Sequence, residues 1–219
     1  MQDGLIDCIV TPKQGNRVPD ATFCADNGKF GEGWPGAEAW FDWLSTLPAS
    51  RCTFAVAPDV VGDAGATLSA SVPWLARVRG LGLPVAFVAQ DGSESVDMIP
   101  WSDFDVLFLG GSTDWKLGPA ARGLAAEAVA RGKRVHMGRV NSLRRLLYAQ
   151  QIGCSSVDGT YLIFGPDKNL ARLLGWLDVA AQPTLDFVIE REAEYLPLNL
   201  HRIQRAQARP ALFDFGATA

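Results

Sequence analysis

Paired cysteines are missing from this sequence. Its four, Cys8, Cys24, Cys52 and Cys154, stand singly, and no CxxC occurs. The ligand spacing of a structural zinc site is therefore absent. Disulfides are not expected in a reducing compartment, and each cysteine reads as a small buried hydrophobe. Histidine is nearly absent: His136 and His201 lie far apart and suggest no metal cluster. Long apolar runs are absent too. A stretch such as Val85-Ala86-Phe87-Val88-Ala89 falls far short of the roughly 20 residues that span a bilayer, so no membrane association is expected. Met1-Gln2-Asp3-Gly4 opens no basic region followed by an apolar stretch, so no signal peptide is expected and the cytoplasm is the default compartment. No GxGxxG comes after the first strand, which argues against dinucleotide binding. Excess positive charge is also lacking. Twenty Lys and Arg face 24 Asp and Glu, a net charge of −4, which weighs against nonspecific coating of nucleic acid but leaves room for a local basic patch.

What is present is a globular composition, 48% hydrophobic and 20% charged over 219 residues, enough for one domain with a full core. Short apolar or β-branched runs alternate with longer segments of helical spacing. Strands are expected at 5–10, 22–25, 53–57, 85–89, 106–109, 135–137 and 156–157, and helices at 36–47, 64–80, 119–131, 142–151 and 167–180. Strand, helix, strand in repetition means a parallel sheet with crossover helices. The strand runs are apolar throughout, as in strands covered on both faces. An open doubly wound sheet and a barrel both fit. The strand count favours a (β/α)8 TIM-like barrel, short and somewhat irregular, with no zinc subdomain. Asn141-Ser142 before Leu143 is an N-cap signal, and Gly132 and Gly153 stand just past helices as C-terminal glycines do. The barrel is expected over 1–181. Residues 182–219, carrying Glu190-Arg191-Glu192, Arg202, Arg205 and Arg209, read as a helical arm or tail of the same domain.

The informative feature is the residue type at the end of each strand. Polar or glycine residues stand there: Asp26, Asp59, Gln90, Gly110-Gly111 and Asp158. In a barrel, all strand C-termini open on the face that carries the chemistry. At any single position a turn residue or helix cap is the ordinary explanation. Five such junctions together weaken that explanation. Carboxylates serve as nucleophile and acid/base at a glycosidic bond. Asp and Gln read a purine edge, and glycine lets a ligand approach the backbone.

At these residues the sequence resembles the queuine/archaeosine tRNA-guanine transglycosylases, over roughly 23–165. Ala25-Asp26-Asn27-Gly28-Lys29-Phe30 is similar to the family's Asp-Ser-Gly-Gly-Phe-Gln loop. Val56-Ala57-Pro58-Asp59, Phe87-Val88-Ala89-Gln90 and Leu109-Gly110-Gly111 are similar to its base-contacting strand ends. Val135-His136-Met137-Gly138 is similar to Tyr-Leu-Met-Gly, and Gly153-Cys154-Ser155-Ser156-Val157-Asp158 to Gly-x-Asp-Met-Phe-Asp. The family's Cys-x-Cys-x2-Cys…His zinc site has no counterpart, the chain is shorter, and Asn27, Lys29 and Ser155 replace Ser, Gly and Asp. The segments 110–116, 136–142 and 156–160 look more like the DNA-modifying branch found in phages and bacterial modification clusters, which would place the protein in a host cytoplasm if phage-encoded.

The resemblance implies base exchange. Asp158 would be the nucleophile, forming a covalent glycosyl-aspartate, and Asp26 the acid/base. Asp59, Gln90, Gly110, Gly111, His136 and Met137 would hold the base. The implied partners are DNA, or tRNA as the alternative, and a guanine or 7-deazaguanine such as preQ0, with no cofactor and no metal. For Lys116, Arg139, Arg144 and Arg145 the expectation is backbone binding, with Trp115 beside them as a stacking candidate. Lys133 and Arg134 precede their strand and are expected at the opposite end. Asp63 reads as a helix cap. His136 reads equally as a hydrogen-bonded structural residue. A nucleoside-processing barrel hydrolase and a non-catalytic docking subunit are the other readings, and self-association stays open.

Overall fold

The computed structural model describes residues 6–14, 18, 20–31 and 33–182. The chain divides into two compact units, Met1–Trp176 and Leu177–Ala219. Of the second, only residues 177–182 are described, so the expected arm lies almost wholly outside the described residues.

Seven strands form one parallel sheet: β1 (Cys8–Val10), β2 (Phe23–Ala25), β3 (Cys52–Val56), β4 (Val85–Ala89), β5 (Val106–Leu109), β6 (Arg134–Met137) and β7 (Ser156–Val157). Their spatial order is their chain order. Every crossover therefore advances in the same direction, as connections do in a singly wound barrel. A doubly wound sheet would reverse its order part-way, so that alternative falls.

The sheet curls. Arg134 on β6 donates to the carbonyl of Thr53 on β3 at 2.7 Å, and the rings of Phe54 (β3) and His136 (β6) lie 5.0 Å apart. Two strands intervene between β3 and β6 in the sheet, so only a concave surface allows these contacts. Among the described residues β1 and β7 are edges and do not pair with each other. The described residues thus form an α/β half-barrel of seven strands, and the eighth strand of the expected closed barrel is not found among them.

The helices are α1 (Ala37–Ser45), α2 (Ala64–Gly80), α3 (Thr113–Lys116), α4 (Pro119–Ala130), α5 (Leu143–Gln151) and α6 (Pro166–Ala181). Capping sets several starts. Asp63 accepts from the Ala66 N–H at 2.9 Å at the head of α2, and Ser142 accepts from the Arg145 N–H at 3.3 Å at the head of α5. The one-turn α3 adds to the expected helices, being too short for periodicity to reveal.

Strand side chains alternate between two dry environments. One set, including Phe23, Phe87, Leu107 and Val135, is wholly buried on the helix side. The other set fills the concave side: Cys24, Phe54, Val56, Ala86, Val88 and Val106, with Phe108 against them. Burial on both sides explains why β2, β4 and β5 are apolar throughout. Phe54 also meets Phe108 edge-on at 6.5 Å. Phe54→Ala would leave a cavity beside the His136 ring. A loss of about 3–5 kcal/mol is expected, read as a lower urea midpoint with an unchanged slope.

Candidate functional site

The concave side chains continue, two residues on, into the polar strand ends. Cys24 leads to Asp26, Val88 to Gln90, Phe108 to Gly110, and Ser156 to Asp158, each keeping the same face because the strand period is two. The paired registers Cys24↔Phe54, Val88↔Phe108, Phe108↔His136 and His136↔Ser156 place these rows side by side. The result is a cavity of about 560 Å³, whose walls include Asp26, Asp59, Gln90, Gly110, Arg139 and Asp158.

Asp158 is held through both oxygens. Oδ2 meets His136 Nε2 at 3.0 Å, and Oδ1 accepts from the Arg139 backbone N–H at 2.9 Å. Arg139 takes a left-handed backbone, φ 61°, which is uncommon for a non-glycine residue. Burial pushes the Asp158 carboxyl up. The hydrogen bond and charge of His136, the Arg139 N–H and the Lys116 ammonium outweigh it, so the group sits below the ordinary carboxylate range.

Asp26 behaves oppositely. Burial raises its carboxyl to about 6, with the charges of Asp158 and Asp59 adding to the rise, against lowering by the Gly28 N–H and His136. Its Oδ1 accepts from the Gly28 N–H at 2.7 Å, an Asx turn that opens the loop. Gly28 has φ 77°, and a Cβ there would lie 2.8 Å from the Gly33 carbonyl carbon, so only glycine fits this turn.

Asp59 is buried and engaged on both oxygens. Asn27 Nδ2 donates to Oδ1 at 2.9 Å, and Gln90 Nε2 donates to Oδ2 at 2.8 Å. Gln90 Oε1 accepts from the Gly62 N–H at 3.1 Å. Asn27 itself is 2% exposed and also donates to the Ala57 carbonyl at 2.8 Å. Burial raises the Asp59 carboxyl, opposed by Asn27, Lys29 and Gln90.

Several expectations need correction. The Gly110 and Gly111 N–H groups both donate to the Ala89 carbonyl, at 2.9 and 3.2 Å, so they do not face a ligand. Their carbonyls accept from the Arg139 guanidinium, at 2.8 Å for Gly110. Gly110 still matters sterically, because a Cβ there would sit 2.5 Å from Val88 Cγ1. Met137 points to the helix side, beside Thr113, Lys116 and Leu117, one residue out of phase with the cavity. Lys116 is 4% exposed and donates to the Gly138 carbonyl. Burial and the Arg139 charge lower its ammonium to about 8, and it is not placed to meet a backbone phosphate. His136, 3% exposed, faces Asp158 rather than the cavity. Arg139 lines the cavity and braces β5 against the β6 end, and Arg145 is half-buried beside Lys116 and Arg139. Of the four expected backbone-binding residues only Arg144 is exposed. Trp115 Nε1 donates to Glu94 at 2.9 Å. Lys133 and Arg134 lie at the strand starts, away from the cavity, donating to the Phe104 and Thr53 carbonyls.

Residues not singled out from the sequence also belong to the site. Asn27 orients Asp59. Phe30, 67% exposed, stands on the rim over the Arg139 guanidinium at 4.9 Å, and Val61 and Ile163, 50% and 75% exposed, share that rim. The sequence signal for Phe30 is its place in the loop that begins at Asp26. Ile163 has none. Among the described residues no group of three or more His, Cys, Asp or Glu could hold a metal ion, and no helix is long and apolar enough to cross a membrane.

No family model matches the chain, and no curated protein matches it. Among solved structures, the Bacillus subtilis YkuI protein, with an EAL domain, in complex with substrate c-di-GMP and calcium, is similar at 16% identity with a TM-score of 0.42. The match covers 90% of this chain and 51% of that one, so the chain spans about half the neighbour's length. A likeness at this level transfers no activity.

The half-buried Asp26 carboxyl, moved from its ordinary 3.8 to about 6, favours the protonated native state. The native state then holds more protons than the unfolded chain between these values, so stability falls as pH rises through that window. Asp26→Asn removes the cost. At pH 7.5 the variant should be more stable by up to about 3 kcal/mol, and its urea midpoint should change less between pH 4 and 7 than that of the wild type.

Proposed function

We propose that this protein exchanges a purine base at a nucleoside C1′ by double displacement, with guanine in DNA as the departing base and a 7-deazaguanine as the entering one. The observation that carries this reading is the pair Asp158 and Asp26. They are two carboxyls in one cavity, one held below its ordinary range and the other raised to about 6. Groups driven apart in this way divide into an ionised nucleophile and a protonated acid.

In the first step an Asp158 oxygen bonds to C1′ as the bond from C1′ to the base nitrogen breaks. The departing nitrogen takes the bonding electrons and Asp26 supplies its proton. In the second step the entering base gives its proton to Asp26, its nitrogen bonds to C1′, and Asp158 leaves as carboxylate. Two inversions give net retention. Phe30 at the rim offers a ring face to the base, and the Asp59 and Gln90 pair supplies the polar edge deeper in. The target nucleotide has to leave the duplex stack to reach this depth. Arg144, on the first turn of α5 and exposed, is the residue assigned to the DNA backbone in this reading. Eight-strand closure of the half-barrel belongs to the same proposal.

Incubation with duplex DNA, tRNA and radiolabelled guanine or preQ0 tests it. Label should enter DNA, and Asp158→Asn should lose both exchange and the covalent adduct. Label entering only tRNA would replace the polymer and keep the chemistry. Release of free base without incorporation would favour a nucleoside hydrolase, and full exchange by Asp158→Asn would sink the nucleophile assignment. The first step needs Asp26 protonated, so single-turnover adduct formation should fall about tenfold per pH unit above about 6.

A further inference from the structure

Beneath the nucleophile runs a chain of contacts that base exchange itself does not explain. Ser156 Oγ lies 2.8 Å from His136 Nδ1, and His136 Nε2 lies 3.0 Å from Asp158 Oδ2. The imidazole is walled by Phe108 at 4.6 Å and Phe54 at 5.0 Å and is 3% exposed. An ionised carboxylate only accepts, so the hydrogen lies on Nε2. Ser156 can donate to Nδ1 or accept from it, because its hydroxyl rotates. The ring can therefore donate to Asp158 whether it is neutral or charged.

Resting on the base-exchange reading for its catalytic meaning, we propose that His136 is a positioning residue that keeps Asp158 ionised and aims its carboxylate at the cavity. Its chemistry is that of a fixed donor. When Asp158 attacks C1′, the bond is made by a carboxylate whose rotation is already restricted by His136 on Oδ2 and the Arg139 N–H on Oδ1. When Asp158 departs in the second step, negative charge returns to oxygens that face those two donors, as preorganised donors stabilise charge where it develops. The other charged groups near Asp158 are Lys116 on α3, which favours its ionised form, and Asp26 beyond β2, which opposes it. Neither donates to its oxygens in the structure, so the directed interaction belongs to His136 and the Arg139 backbone.

The test compares His136→Phe, which keeps a ring between Phe54 and Phe108 but removes the donor, with His136→Gln, whose amide nitrogen can stand where Nε2 stood. Carbon-13 NMR of Asp-labelled protein reads the Asp158 carboxyl directly, its signal assigned by its loss in Asp158→Asn. In His136→Phe the Asp158 titration should move up by about one pH unit, and in His136→Gln it should stay near the wild-type position. In base exchange, His136→Phe should lower kcat about tenfold with KM for the entering base unchanged, and His136→Gln should recover most of the loss. An unmoved Asp158 titration in His136→Phe, with melting temperature retained, overturns the proposal. So does an equal loss of exchange in both variants. The titration does not depend on turnover: a wild type that exchanges no base but shows the shift would refute base exchange while leaving the His136–Asp158 pairing intact.

Discussion

The site depends on what it takes to keep a carboxylate ionised where water is scarce. A charge moved out of water is costly unless hydrogen bonds and opposite charge replace its hydration. At Asp158 the replacement comes from three sides: the His136 imidazole, the Arg139 N–H and the Lys116 charge. Much of the surrounding structure serves those donors. Arg139 takes a left-handed backbone to offer its N–H, and its guanidinium is tied to the Gly110 and Gly111 carbonyls. The buried Lys116 grips the Gly138 carbonyl. The loop after β6 is thus fastened at each of these residues, and its fastening holds the carboxylate.

Asp26 is left without such support. One backbone N–H accompanies it, and two like-charged neighbours oppose its ionisation. The same cavity therefore produces two carboxyls of opposite character from one residue type. The difference lies in donors rather than depth, since burial raises both groups. Asp59 stands between these extremes, its two oxygens met by neutral amides. Asn27 and Gln90 orient the Asp59 carboxyl, yet burial outweighs them and the group is still raised.

Alternation along the strands decides who takes part. His136 and Met137 are adjacent, yet His136 touches Asp158 while Met137 packs with α3. A resemblance along the chain names both residues together, whereas a strand sends them to opposite faces. Lys116 and Arg139 show the same limit for charge. Basic residues near a strand end look like phosphate binders in a sequence, but here their heads are spent on backbone carbonyls.

The parallel α/β character, the strand and helix positions, and the cluster of Asp26, Asp59, Gln90 and Asp158 at strand ends were all legible in the sequence by itself. Each rests on local patterns: apolar runs, helical spacing, caps, and the polar residue that ends a strand. The strands at 85–89, 106–109 and 156–157 and the helix at 64–80 agree residue for residue. Only the tertiary structure decided that the sheet curls over seven strands, that Asn27 and Phe30 join the site, and that His136, Arg139 and Lys116 turn inward to support Asp158. Those outcomes depend on contacts between residues as far apart as Thr53 and Arg134, or Lys116 and Gly138. Local propensity says nothing about such pairs, because their geometry exists only once the strands have been laid side by side.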